Sequence, residues 1–113
     1  MDYLDEPDIF QATKALTREC YKAILLLPAE EKFALIQQIR RAALSGHLNV
    51  AEGCSVKSGG ERKSYFEIAG GAVVEIDTAF GIAVNLKYCT EENLQVPGKK
   101  IISAYKQLSG LIG

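Results

Sequence analysis

One stretch narrows the folds open to this chain more than any other: residues 27–53, which end in RRAALSGHLNVAEG from Arg40 to Gly53. Stepped at the helical angle of about 100° per residue, Gln38, Arg41, Ser45, Asn49 and Glu52 fall on one line, within an arc of roughly 80°. Leu35, Ile36, Ile39, Ala43, Gly46 and Val50 flank that line on one side. Phe33, Leu44, Leu48 and Ala51 flank it on the other. An ordinary surface helix carries one apolar stripe and one broad polar face. This segment carries a thin polar seam between two apolar flanks. Two readings fit. The seam is a solvated face, or the helix is buried twice, once in its own subunit and once against a neighbouring one. In the second case Asn49 and Glu52 need partners, because buried polar groups are costly when unpaired. Arg41 of a neighbouring copy is a candidate, since Arg41 and Glu52 stand three turns apart within one helix and cannot meet there.

The remaining segments read as three more helices. Residues 1–7 form a short flexible lead and residues 8–113 a single domain, a length that supports a core without disulfides or metal. Asp8 with Gln11 resembles a capping box, and the acids from Asp5 to Asp8 suit a helix start. Ile9, Ala12, Leu16, Cys20, Ala23, Ile24 and Leu27 recur at three and four, so helix one runs to Pro28. Pro28 also suits the first position of helix two, with Glu30 and Glu31 in its first turn, and that helix runs to about Glu52. GCSVKSGG, residues 53–60, is a loop. Ser58 and Glu61 read as a capping box opening helix three, over 59–88. Tyr65, Ile68, Ala69, Ala72, Ile76, Ala79, Ala83 and Leu86 form its core stripe, which Phe66, Val73, Phe80 and Val84 widen. A stripe this wide predicts more than one packing neighbour. It marks Phe66, Val73, Glu75 and Phe80 as oligomer-interface residues alongside the seam residues Arg41, Ser45, Asn49 and Glu52. Gly70, Gly71 and Gly81 each cost about 1 kcal/mol in a helix relative to alanine, which the close approach of another helix backbone explains. Residues 90–95 are a connector, and Pro97 marks the start of helix four, with Ile101, Ile102, Tyr105, Leu108 and Ile112 on its apolar face. Sustained two-residue alternation is missing throughout. The expected fold is all-α: an antiparallel up-down-up-down four-helix bundle.

Composition removes several function classes. With 13 basic and 14 acidic residues the formal charge is −1, unlike the strongly basic surface of a dedicated nucleic-acid binder. A local cluster of Arg40, Lys57, Arg62 and Lys63 around one end of helices two and three is the feature that would support RNA or DNA contact; the alternative is a set of ordinary solvated charges. No apolar run spans a membrane, and the acidic start lacks a signal-peptide pattern, so the chain reads as cytoplasmic. Cys20, Cys54 and Cys89 form no C-x-x-C pair, and His47 is the one histidine, so no metal or other cofactor is expected. Cys54, after the seam, is the thiol to test for reactivity. The glycine loop lacks the G-K-[ST] of a phosphate-binding loop. His47 stands alone, and Glu75 and Asp77, two apart on a helix, do not face each other. The chain therefore reads as non-enzymatic, with no small-molecule substrate.

Two motifs carry a resemblance. Arg40, Arg41, Ala42, Ser45, Asn49, Val50, Ala51, Glu52 and Gly53, preceded by Leu27, Pro28, Glu31, Phe33 and Gln38, form the first. Ile68, Ala69, Gly70, Gly71, Ala72, Val73, Val74, Glu75 and Ile76 form the second. Together they resemble the 23S rRNA intervening-sequence proteins over about residues 9–112. Ala72 stands where the family usually has serine, and residues 54–57 lack its usual Gly-Arg. The resemblance implies a four-helix bundle assembled into a ring-shaped homopentamer, so the first expected partner is the chain itself. It brings no catalytic residue set. Some members are encoded within sequences that interrupt large-subunit rRNA genes. A related, markedly basic branch serves diversity-generating retroelements by binding a reverse transcriptase and nucleic acid, which makes RNA or DNA the alternative partner.

Overall fold

The computed structural model describes residues 7–113 and contains four α-helices: α1 (Asp8–Ala23), α2 (Leu35–Ser55), α3 (Gly59–Asn85) and α4 (Gln95–Ile112). Short 3-10 turns occupy Ile24–Leu26, Ala29–Glu31 and Glu92–Leu94. No strand occurs among the described residues. Most of the predicted lead, residues 1–6, lies outside them, as does Asp5.

Each helix packs on two others. α2 lies against α1 and α3, and α4 lies against α3 and α1, with the α2–α3 contact the most extensive. Specific contacts fix the register. Thr13 and Thr17 of α1 reach His47 and Ala43 of α2. Gly46 and Gly53 of α2 face Ala72 and Phe66 of α3. On both pairs of helices the numbers rise on one as they fall on the other. The molecule measures 44 × 23 × 23 Å, and a helix as long as α3 spans about 40 Å at 1.5 Å per residue, so the helices lie along the long axis.

Small residues make the α2–α3 contact close. Ala42, Ala43, Ala69, Ala72, Ala79 and Ala83 are all buried, and a β-carbon on Gly46 would sit 3.6 Å from that of Ala72. A serine at position 72 would bring a hydroxyl to this buried contact; the methyl group fits it. The largest fully buried side chains are Ile39, Ile76 and Leu108, one each from α2, α3 and α4.

The helix ends depart from the sequence reading where proline and capping geometry act. α1 stops at Ala23 rather than Leu27, and Leu27 is extended (φ −88°, ψ 146°), as expected of a residue before proline. Pro28 is extended too, and α2 starts only at Leu35, after Ala34 leaves helical geometry (φ −124°, ψ −103°). Glu31 ties this junction down. One carboxylate oxygen accepts from the Leu35 N–H at 3.4 Å and the other from the Tyr88 hydroxyl at 3.3 Å. Asp8 does not cap α1; Pro7 holds the cap position, without a side-chain bond. Ser58 does cap α3, its hydroxyl accepting from the Glu61 N–H at 3.4 Å. The far end of α3 is closed by Lys87 in the left-handed region (φ 65°). Tyr88 N–H donates to Ala83 and Lys87 N–H to Val84, the paired bonds of a Schellman motif with lysine in the usual glycine place. α3 therefore ends at Asn85, three residues before the expected Tyr88. α4 begins at Gln95, with Pro97 buried in its first turn, where no backbone bond is lost.

Candidate functional site

The candidate site is the outer face of α2 where it meets α3. α2 continues through Gly53 and Cys54 to Ser55, so the expected loop shrinks to residues 56–58. One flank of the seam enters the core of the chain: Ile39, Ala43, Gly46 and Val50 are buried, and Leu35 and Ile36 are half-buried. The other stays outside. Phe33 is 81% exposed, Leu48 60% and Leu44 43%, and Ala51 is half-buried, so most of the second flank is uncovered among the described residues.

The seam between them is graded. Gln38, Arg41 and Glu52 are exposed, while Ser45 and Asn49 are half-buried. Asn49 turns its amide back one turn, donating to the Ser45 carbonyl at 2.8 Å and to its hydroxyl at 3.3 Å. Gln38 crosses to α3, where its amide donates to the Glu75 carboxylate at 3.2 Å. Glu75 thus joins the seam from the neighbouring helix, in line with Ile68, Gly71, Ile82 and Leu86, all exposed. A shallow depression at one end is lined by Phe33, Gln38, Arg41, Ile82 and Leu86.

Three residues assigned to the interface lie elsewhere. Phe66, Val73 and Phe80 are 3%, 1% and 4% exposed and belong to the core of the single chain. Ile68 and Leu86, expected in the core, are half-exposed. The cause is a rotation of the buried arc of α3 by about half a residue's step, roughly 50°: Phe66 packs toward Gly53 of α2, Val73 and Phe80 lie beside Ile101 of α4, and the opposite edge turns outward. The helix is apolar nearly all round, so periodicity alone could not place its inner face.

The four basic residues do not form one patch. Arg62 is committed to structure: its Nε donates to the Gly53 carbonyl at 3.2 Å and its Nη2 to the Val56 carbonyl at 2.8 Å, closing the C-terminus of α2. Lys57 and Lys63 are exposed near that turn. Arg40 lies 13 residues before Gly53 on the same helix, about 20 Å away along its axis.

Sequence reasoning missed a buried polar contact between α1 and α2. Thr13 is 2% exposed on the apolar face of α1. Its hydroxyl stands 2.9 Å from Nδ1 of His47 and within 3.2 and 3.3 Å of the Ile9 and Phe10 carbonyls. The His47 ring packs on Phe10 with centroids 4.5 Å apart. Thr17 bridges the same helices, its hydroxyl near the Thr13 and Ala43 carbonyls. Threonines four apart on an apolar face, with a lone histidine on the facing helix, were the available signal. A hydroxyl beside an imidazole resembles an activated nucleophile, but this one is closed off from any substrate. Among the described residues no group of three or more His, Cys, Asp or Glu is placed to hold a metal ion, and no helix is long and apolar enough to cross a membrane.

The thiols are protected. Burial, with the charge of Glu19 adding to it, pushes Cys20 up to about 12. Burial also raises Cys89 and Cys54, the latter against the opposing charge of Arg62. A raised pKa leaves less thiolate at any given pH than a free cysteine has, and thiolate is the reactive form. Native protein at neutral pH is therefore expected to alkylate at Cys54 more slowly than free cysteine does, and to label fully once denatured. Iodoacetamide labelling read by peptide mass spectrometry checks this. Fast native labelling at Cys54 would mean that the last turn of α2 opens.

The sequence model of the 23S rRNA-intervening sequence protein family matches residues 5–110. The match takes in nearly the whole chain, which belongs to that family. No curated protein matches it. The first motif from Gln38 onward lies on α2 and the second on α3, the helix pair with the most extensive contact, and the two meet where the Gln38 amide donates to the Glu75 carboxylate.

Proposed function

We propose that this 23S rRNA-intervening sequence protein is a non-enzymatic helical scaffold that acts through self-association, as an antiparallel up-down-up-down bundle closed into a ring by copies of itself. The observation that carries the reading is the asymmetry of α2. One flank is buried in the chain, and the other presents Leu44 and Leu48 to solvent across a seam whose Arg41 and Glu52 side chains have no partner among the described residues. Burying the half of each leucine still exposed is worth about 1 kcal/mol, a share of the full-burial value, and a repeated contact multiplies that gain around a closed assembly. Arg41, Ser45, Asn49, Glu52 and Glu75 then give the contact its polar complement. A ring of five is the size that the resemblance implies.

Light scattering on the eluting protein tests the reading. Wild-type protein is expected at a multiple of the 12.3 kDa chain mass. Leu48→Asp is expected at one chain mass with unchanged helical circular dichroism. A wild type that stays at 12.3 kDa at high concentration, or a Leu48→Asp variant that keeps the wild-type mass, would overturn it. Nucleic-acid binding is not favoured by any feature of the site, because Arg62 is tied to the α2–α3 turn and Arg40 stands far from it.

A further inference from the structure

The reading above leaves open what covers the exposed flank of α2. The opposite side of the bundle carries a surface of complementary form. A groove runs between α3 and α4 as three successive depressions. It extends from Glu67 to Val84 on α3, about 26 Å at the helical rise. Its apolar wall includes Val74, Ile102 and Tyr105, each between 50% and 55% exposed. Its charges are mostly acidic: Glu67, Asp77 and Glu91 line it, against Lys106. Gly71, Gly81 and Gly98 border it, and a β-carbon at any of the three would meet nothing within 4 Å. The close backbone approach expected at the first two does not occur inside the chain.

We propose that α2 of one copy seats in the α3–α4 groove of the next. Leu44 and Leu48 fill the apolar part, and Arg40 and Arg41, both exposed, meet the acids of the rim. Open space beside Gly71 and Gly81 lets the incoming helix come close. α2, at 21 residues and about 30 Å, matches the groove in length. α2 packs on α1 and α3 of its own chain and lines none of the three depressions, so the contact lies between copies. A parallel pairing of two α2 ridges would set the arginines against their own counterparts; an antiparallel one would bring Arg41 near Glu52 but leave the groove uncovered. A ridge-to-groove contact uses two different surfaces of each copy, so it is heterologous: it repeats head to tail and closes into a ring when the rotation allows.

This inference rests on the self-association reading, and the test separates the two. Leu48→Asp spoils the ridge and leaves the groove. Val74→Asp spoils the groove and leaves the ridge. Each variant alone is expected at one chain mass with native helicity. Mixed in equal amounts they are expected to form a dimer and stop there, because one intact ridge and one intact groove remain. An affinity tag on one variant confirms that the dimer holds one of each. If Val74→Asp alone keeps the wild-type mass while Leu48→Asp does not, the groove proposal falls and self-association through α2 stands. If both are monomeric and the mixture stays so, the two surfaces do not pair and the proposal falls. A monomeric wild type removes the reading on which it rests.

Discussion

Replacing Ile39 by alanine is expected to lower the stability of the fold by about 2–5 kcal/mol, the range for truncating a fully buried isoleucine. Ile39 is 0% exposed on the inner face of α2. Its removal takes transfer energy from the core and leaves a cavity between helices that relax only in part. A domain of this size has about 5–15 kcal/mol in total, so the loss is a large share of it. At roughly 4 °C per kcal/mol for a domain near this length, the melting midpoint falls by about 8–20 °C. Leu25→Ala is the matched control. Leu25 is 84% exposed, and its truncation should change stability by no more than about 0.5 kcal/mol. Urea titrations of both variants at one protein concentration decide the matter, since self-association would otherwise shift the midpoints by mass action. Equal midpoints would mean that α2 is not seated as described.

The contrast between these two residues also shows how far the sequence could be read. Ile39 and Val50 were legible as core because α2 has one polar line that fixes its orientation. The helical periodicity of all four segments was legible for the same reason, and so was the Ser58 cap. Helix boundaries around Pro28 were not. Proline excludes the preceding residue from helix, but whether the chain re-enters helix at once depends on tertiary anchors such as the Glu31–Tyr88 bond, which joins residues 57 positions apart. The inner face of α3 was not legible either. With apolar residues on nearly every side of that helix, only the positions of α1, α2 and α4 decide that Phe66, Val73 and Phe80 go inward and Ile68 and Leu86 do not. The basic cluster failed on distance: four cations counted as neighbours along the sequence are separated by helix length and by Arg62's bonds to backbone carbonyls.

The two motifs that mark the family gain a partly structural explanation from this arrangement. They are the two surfaces of the α2–α3 contact, where Gly46 and the buried alanines let the helices approach. A sequence signature of this kind can hold a fold together as well as define a site. Motif residues that the fold leaves at the surface, Arg40, Arg41 and Glu52 on α2 and Val74 on α3 among them, are available for contact with another copy.

Gly53, the last residue of the first motif, gives the sharpest test of that structural share. It is buried inside the final turns of α2, and helix propensity alone would favour alanine there by about 1 kcal/mol. The opposite result is expected. A β-carbon at Gly53 would lie 2.6 and 2.8 Å from Cε1 and Cδ1 of Phe66, well inside contact distance. The Phe66 ring is itself 3% exposed and has little room to move. Gly53→Ala should therefore destabilise the fold by about 1–3 kcal/mol, the usual range for overpacking a core. Gly110→Ala on α4, where an added β-carbon meets nothing within 4 Å, should instead be neutral or slightly stabilising. The pairing with Phe66 is checked by a double-mutant cycle. Phe66→Leu alone loses packing, but in the Gly53→Ala background it relieves the clash, so the two losses should fall short of adding. Strictly additive losses would show that the glycine is required for something other than the ring it faces.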